Sequence, residues 1–348
     1  MRKILIPLLT MAVVTSCGTA KISDGNASHP VSTKHNKAFN SAYKEINAED
    51  LKKNLYVIAA DDMEGRDTGS KGQKKAGEYM INYYKNLGIS APKALGSYYQ
   101  KVPSEFMKKR GGGNLPDSEN ILAFIEGSEK PEEIVVVSAH YDHVGTKNGV
   151  VYNGADDDGS GTVAVMEIAK AFQQAKKAGK GPKRSILFLH VTGEEHGLFG
   201  SEYYSENPVF PLANTVVDLN IDMIGRDDPA NRGKQYVYVI GSEMLSSQLK
   251  VINEAANKRT NNLELNYKYD DLNDPEQLYY RSDHYNFAKH NIPVAFFFDG
   301  IHEDYHKPGD DPEKIDYQLL EKRTQLIFTT AWDIANREER IVVDRNNY

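Results

Sequence analysis

Cysteine is almost absent: Cys17 stands alone in 348 residues. No intramolecular disulfide can form, so stability has to come from a packed core and from whatever the chain binds. A basic excess is missing too. Net charge is −7, which argues against a nucleic-acid partner, since that would want a basic face. There is no internal repeat and no linker-like break after residue 46, which favours one domain over 46–348 rather than two. The apolar run Ile4 to Val14, behind Met1-Arg2-Lys3, is too short to span a bilayer as a mature helix and reads as a signal peptide. What is present is globular composition, 40% apolar and 26% charged, ample for a sizeable core.

The leader ends in Val14-Thr15-Ser16-Cys17, similar to a bacterial lipoprotein processing box in which the cysteine becomes the lipidated first residue. The expectation is a signal peptide over 1–17, export, and a lipid anchor on Cys17. That anchor would hold the protein to a bacterial membrane, at the periplasmic face or the cell surface, without spanning it. An ordinary cleaved signal with an incidental cysteine is the plainer alternative. Residues 18–45 are polar, with scattered Gly, Ser and Lys, and read as a flexible tether.

Beyond the tether, the chain is organised around His140 to Gly161. The buried-strand pattern Ile134-Val135-Val136-Val137 runs into this stretch, and helical spacing of Val163, Met166, Ala169 and Phe172 follows it. Between them lie two histidines, four aspartates and five glycines. Loops at the carboxyl ends of parallel strands are where open α/β sheets place ligands, and clustered carboxylates repel unless a cation or hydrogen bonds offset them. Further strands are expected over 120–125, 184–192, 215–222, 236–240 and 292–298. Helices are expected from Asn47, over 71–87, 162–177, 246–259 and 317–335, with 89–118 irregular. Strands alternating with helices indicate an α/β sandwich around a mostly parallel sheet.

The strong strands end in similar chemistry: His140, then Glu194-Glu195-His196, then Asp222, then Asp299 shortly before His302 and His306. Carboxylates mixed with imidazole suit zinc, manganese or cobalt rather than calcium. Two adjacent glutamates allow one to ligate while the other takes a proton from water.

Ala139-His140-Tyr141-Asp142, Asp157-Asp158-Gly159-Ser160-Gly161, Gly193-Glu194-Glu195-His196-Gly197, Asp222-Met223-Ile224-Gly225 and Tyr305-His306 together resemble the M28 metallopeptidases, over roughly residues 47 to 337. The resemblance implies a three-layer α/β sandwich with a mixed, mostly parallel central sheet, of the zinc-peptidase, phosphorylase/hydrolase-like kind. It also implies two Zn2+ ions, with Co2+ or Mn2+ as substitutes. His140 and Asp222 would bind one ion, Glu195 and His306 the other, and Asp157 would bridge them. Glu194 would be the general base, and Tyr305 would steady the tetrahedral intermediate. Asp142 would orient His140, and Asp158 would stand behind the ligands, with His143 and His196 in supporting or rim positions. Asp156 fills a slot often held by Asn, and His302 competes with His306 as the last ligand. Asp283 and His284 either line the substrate pocket or belong to a helix cap at Ser282 or Asp283. Arg226 either meets a substrate carboxylate or pairs with Asp227. Tyr267, Tyr269, Tyr279 and Tyr280 either wall the pocket or pack at the surface. The implied activity is peptide hydrolysis, with an aminopeptidase first. A carboxypeptidase, another amide hydrolase, and a non-catalytic zinc-binding surface lipoprotein are the alternatives.

Overall fold

The structure, a computed structural model, describes residues 37–346; the leader with Cys17 and most of the proposed tether lie outside them. In chain order the helices are α1 (Lys37–Glu45), α2 (Ala48–Ile58), α3 (Lys71–Leu87), α4 (Ser104–Lys109), α5 (Gly161–Lys177), α6 (Phe199–Glu206), α7 (Leu249–Arg259), α8 (His284–Ala288) and α9 (Tyr317–Asn336). The strands are β1 (Tyr99–Val102), β2 (Ser118–Ile125), β3 (Lys130–His140), β4 (Thr146–Lys147), β5 (Val150–Val151), β6 (Arg184–Val191), β7 (Thr215–Ile221), β8 (Tyr236–Ile240), β9 (Glu264–Asn266) and β10 (Val294–Phe298).

Eight strands form one sheet in the order β1-β2-β6-β3-β7-β10-β8-β9, while β4 and β5 make a separate hairpin. The four central strands, β6, β3, β7 and β10, run parallel. Antiparallel pairings bring in β2 on one side and β8 on the other. The sheet is therefore mixed and mostly parallel, as expected. In β3, Val135, Val137 and Ala139 face the layer containing α2, α3, α5 and α9, and Ile134 and Val136 face the opposite core. This period of two buries both faces, which is why the sequence reads as an unbroken apolar run. No helix among the described residues is long and apolar enough to cross a membrane.

The helix starts follow local chemistry. Asn47 accepts from Asp50 N at the head of α2, and Ser70 accepts from Gln73 N at the head of α3. Gly88, at φ +75°, closes α3 in the left-handed conformation.

Two expectations need correction. The last part of the 18–45 tether is helix α1, whose Phe39 packs on Phe328 and Trp332 with ring centroids 5.9 and 5.7 Å apart. Residues 89–118 are not wholly irregular either: they contain the edge strand β1, paired with β2, and the short helix α4.

Candidate active site

The parallel strands β3, β6, β7 and β10 deliver their carboxyl ends to one edge of the sheet, where residues distant in sequence converge. His140 ends β3, with Nε2 3.3 Å from Asp157 Oδ1 and 3.6 Å from Asp222 Oδ1. Its Nδ1 is 3.1 Å from the backbone carbonyl of Asp142. A carbonyl only accepts, so Nδ1 carries a proton and Nε2 is the nitrogen turned to the cluster. Asp142 therefore orients the ring through its main chain, its carboxylate standing farther off at 3.8 Å. The carboxylate has other work: it accepts from Thr68 Oγ1 and from Glu194 N.

Asp157 presents its other oxygen in the second direction. Its Oδ2 is 3.0 Å from His306 Nε2, which is itself 2.9 Å from Glu195 Oε2. One carboxylate thus serves two donor groups. Separations of this size are those of ligands sharing an ion with bonds of about 2.0–2.2 Å. His140 Nε2 and Asp157 Oδ2 are buried and make no hydrogen bond, which is costly unless a ligand completes them. Two triads, His140/Asp157/Asp222 and His143/Asp157/Glu195, each place their donor atoms within 4.8 Å of one another. The donor set and the uncompleted atoms both fit a divalent cation.

Electrostatics agree. Burial alone would lower the pKa of His140, yet Glu194 and Asp222 hold it well above the ordinary imidazole value. Burial would raise the pKa of Asp157, but the imidazoles of His140, His306 and His143 push it well below the carboxylate range. Asp158 goes the other way, held well up by burial and by its acidic neighbours Asp222 and Asp157 against the opposing pull of His140. Such a nest of carboxylates favours positive charge.

The surrounding chain fixes each group. Asp310 accepts from the backbone N–H of both Asp156 and Asp157. Asp158 accepts from Gly161 N at the start of α5 and from Met223 N, so it caps the helix and ties two site loops together. Gly154, at φ +54°, leaves room that a Cβ would lack, 2.3 Å from Asp157 O and 2.4 Å from His143 Cγ. Arg66 is fully buried, and its guanidinium donates to the carbonyls of Ile58, Tyr141, Asn153 and Gly154. It thereby grips the loop between the two histidines and again beyond them. Ser282 Oγ donates to Asp222 Oδ2 at 2.7 Å and accepts from Asn220 Nδ2, which leaves Asp222 Oδ1 turned to His140.

Glu194 lies 4.0 Å from His140 Nε2. Burial raises its pKa well above the usual range, and Asp222, Asp283 and Glu195 add to this against the opposing pull of His140. It lines a cleft with Asp157, Asp222 and Tyr305, and the apolar part of that lining is Met223, Leu278, Phe296, Phe298 and Ile301. The Tyr305 ring stacks on His306 at 3.9 Å.

His140, Asp157, Glu195, Asp222, His306, Glu194 and Tyr305 thus come together, with Asp142 and Asp158 packed behind them. His302 does not compete for the ligand position: its Nε2 faces Asp156 Oδ2 at 3.2 Å. His196 pairs with Asp67 at the rim, and His143 is buried against Glu195.

The pocket assignments are corrected. Asp283 is fully buried and receives a hydrogen bond from Ser201, and burial first of all raises its pKa to about 7. It makes no side-chain cap at the head of α8. His284 is buried behind the cleft wall, stacked on Phe296 at 4.7 Å. Arg226 pairs with Asp304 at 3.1 Å rather than with Asp227, away from the cleft lining. Among the described residues, the cleft lining includes none of Tyr267, Tyr269, Tyr279 and Tyr280.

Arg66, Asp310 and the apolar cleft wall were missed by sequence reasoning. The run Phe296-Phe297-Phe298 in β10 was the one available signal, and it could not say which face meets substrate.

Comparison with known proteins places this arrangement. A probable leucine aminopeptidase of Trichophyton verrucosum (strain HKI 0517) is 29% identical over 223 residues, 62% of this chain and 57% of that relative. The chain thus spans little more than half the length of that relative. The LapA aminopeptidase of Legionella pneumophila superposes with a TM-score of 0.69 at 20% identity, covering 95% of this chain and 81% of that one. BSAP, a zinc aminopeptidase from Bacillus subtilis, gives 0.65 at 16% identity, covering 86% and 98%. These two share the fold. The family model described as peptidase family M28 matches residues 120–331, a span that holds every group of the cluster. On that match, the chain belongs to peptidase family M28.

Proposed function

We propose that the protein is a two-zinc aminopeptidase that removes N-terminal residues, apolar ones first, from peptides. The observation that carries this is Asp157, whose two oxygens face two separate donor groups beside a carboxylate, Glu194, that belongs to neither triad. The name of the fungal relative supports the exopeptidase reading. The apolar cleft wall supports a preference for side chains such as Leu, Met or Phe.

Bound at this cluster, the ions supply polarisation of the scissile carbonyl and a lowered water pKa. The chain's own groups do the rest. Positive charge at the cluster offsets the burial that raises the Glu194 pKa, so its carboxylate takes a proton from the attacking water and returns it to the leaving amine. Burial, with Asp157 and Asp222 adding to it, holds the Tyr305 hydroxyl protonated far above neutrality, so it donates a hydrogen bond to the oxygen on which negative charge develops. Asp142 and Ser282 keep His140 and Asp222 aimed. Lipidation at Cys17 would set this chemistry at a membrane surface.

The test is a mixed peptide pool and its N-acetylated twin, incubated with the zinc-loaded protein and read by mass spectrometry. Stepwise loss of N-terminal residues from the free pool alone is expected, fastest after apolar side chains. Trimming of both pools from the carboxyl end would replace the reading with a carboxypeptidase. Cleavage of neither pool, with metal bound, would exclude peptidase action.

A further inference from the structure

One imidazole at the centre stands outside the ligand set that the family resemblance implies. His143 is fully buried and neither ring nitrogen makes a hydrogen bond. Its Nδ1 lies 2.7 Å from Glu195 Oε1 and 3.7 Å from Asp157 Oδ2. Glu195 Oε1 is also buried without a hydrogen bond, so the close pair is not joined by an aligned N–H···O contact. Two such atoms held together away from water are costly unless a third partner completes both.

The ring is held where it is. His143 N donates to Arg66 O, the missing side chain of Gly154 leaves space beside Cγ, and the His306 ring sits edge-on with centroids 5.8 Å apart. The two imidazoles therefore flank the same Glu195–Asp157 pair.

We propose that His143 binds the second metal ion through Nδ1, alongside His306, Glu195 and Asp157, with the ring proton on Nε2. The inference rests on the two-ion reading above and adds a ligand to it. It makes the two positions unequal. The first has one imidazole, His140, with Asp157 and Asp222; the second has two. Nitrogen-richer sites suit zinc, cobalt and nickel, whereas carboxylate-rich ones admit manganese more readily. The second position therefore holds zinc more tightly, and the first exchanges.

Two measurements test this. The crystal structure of the zinc-loaded protein, phased at the zinc edge, is expected to show Nδ1 of His143 about 2.1 Å from the second ion. Nδ1 more than about 3 Å from an ion that His306 and Glu195 do bind would overturn the proposal and leave the two-ion reading standing. A single ion, at His140, would overturn both. In parallel, zinc and cobalt are titrated into the wild-type protein and His143→Ala, with circular dichroism as the check on folding. The variant is expected to keep one site unchanged and to lose at least about tenfold in affinity at the other, with a changed visible spectrum for the cobalt ion there. Unchanged affinity and an unchanged cobalt spectrum would overturn the added ligand.

Discussion

At the scale of the residue, two adjacent glutamates stand in different surroundings. Glu195 faces His306 beside Asp157, whereas Glu194 projects into the cleft beside His140 without joining either triad. Glu194→Gln keeps shape and removes the base. It is expected to bind metal as the wild type does, because no ligand is lost, and to turn over at least about 100-fold more slowly. Peptide hydrolysis within a few-fold of wild type, in a sample with full metal content, would take Glu194 out of the proton-transfer role. The residues misread in sequence share a cause. Asp283, His284 and Arg226 are the types that active sites use, but a one-residue step in a helix or loop decides whether such a side chain meets substrate or a neighbour. Here it meets Ser201, Phe296 and Asp304.

At the scale of the element, the site was legible because His140, Glu195, Asp222 and His306 end or follow apolar strands. A buried strand announces its own end when β-branched residues give way to His or Asp, and parallel strands bring those ends to one edge. The edge elements were not legible for the opposite reason. Helix α1 buries only Phe39 and Ala42, too thin a stripe to stand out in a polar stretch, and β1 is four residues long. Arg66 was hidden in a different way. An arginine in a turn-rich loop looks like surface charge, and only the fold shows its guanidinium spread over four carbonyls. Replacing it, Arg66→Met, leaves those buried acceptors unpaired, each worth about 1–3 kcal/mol. A loss of about 3 kcal/mol or more in urea unfolding is expected. A loss below about 1 kcal/mol would show that the loop around His140 and His143 is held without it.

At the scale of the whole molecule, the carboxyl edge of one sheet gathers a cluster of buried acidic side chains. Buried within it are Asp142, Asp156, Asp157, Asp158 and Asp283, with Glu194 and Glu195 at its edge. The imidazoles of His140, His143 and His306 are the nearest counterweight. The absence of disulfides makes this balance matter for stability as well as chemistry, since ions that bind only the folded chain add their binding energy to it. On the function proposed above, Asp157 joins two ion sites into one centre. It is tested most directly by zinc stoichiometry, measured by equilibrium dialysis and elemental analysis on the wild-type protein and on folded Asp157→Ala. Two zinc ions per wild-type chain, with both affinities weakened by the single substitution, are predicted. One ion per wild-type chain, or loss of only one of two in the variant, would contradict a bridging Asp157.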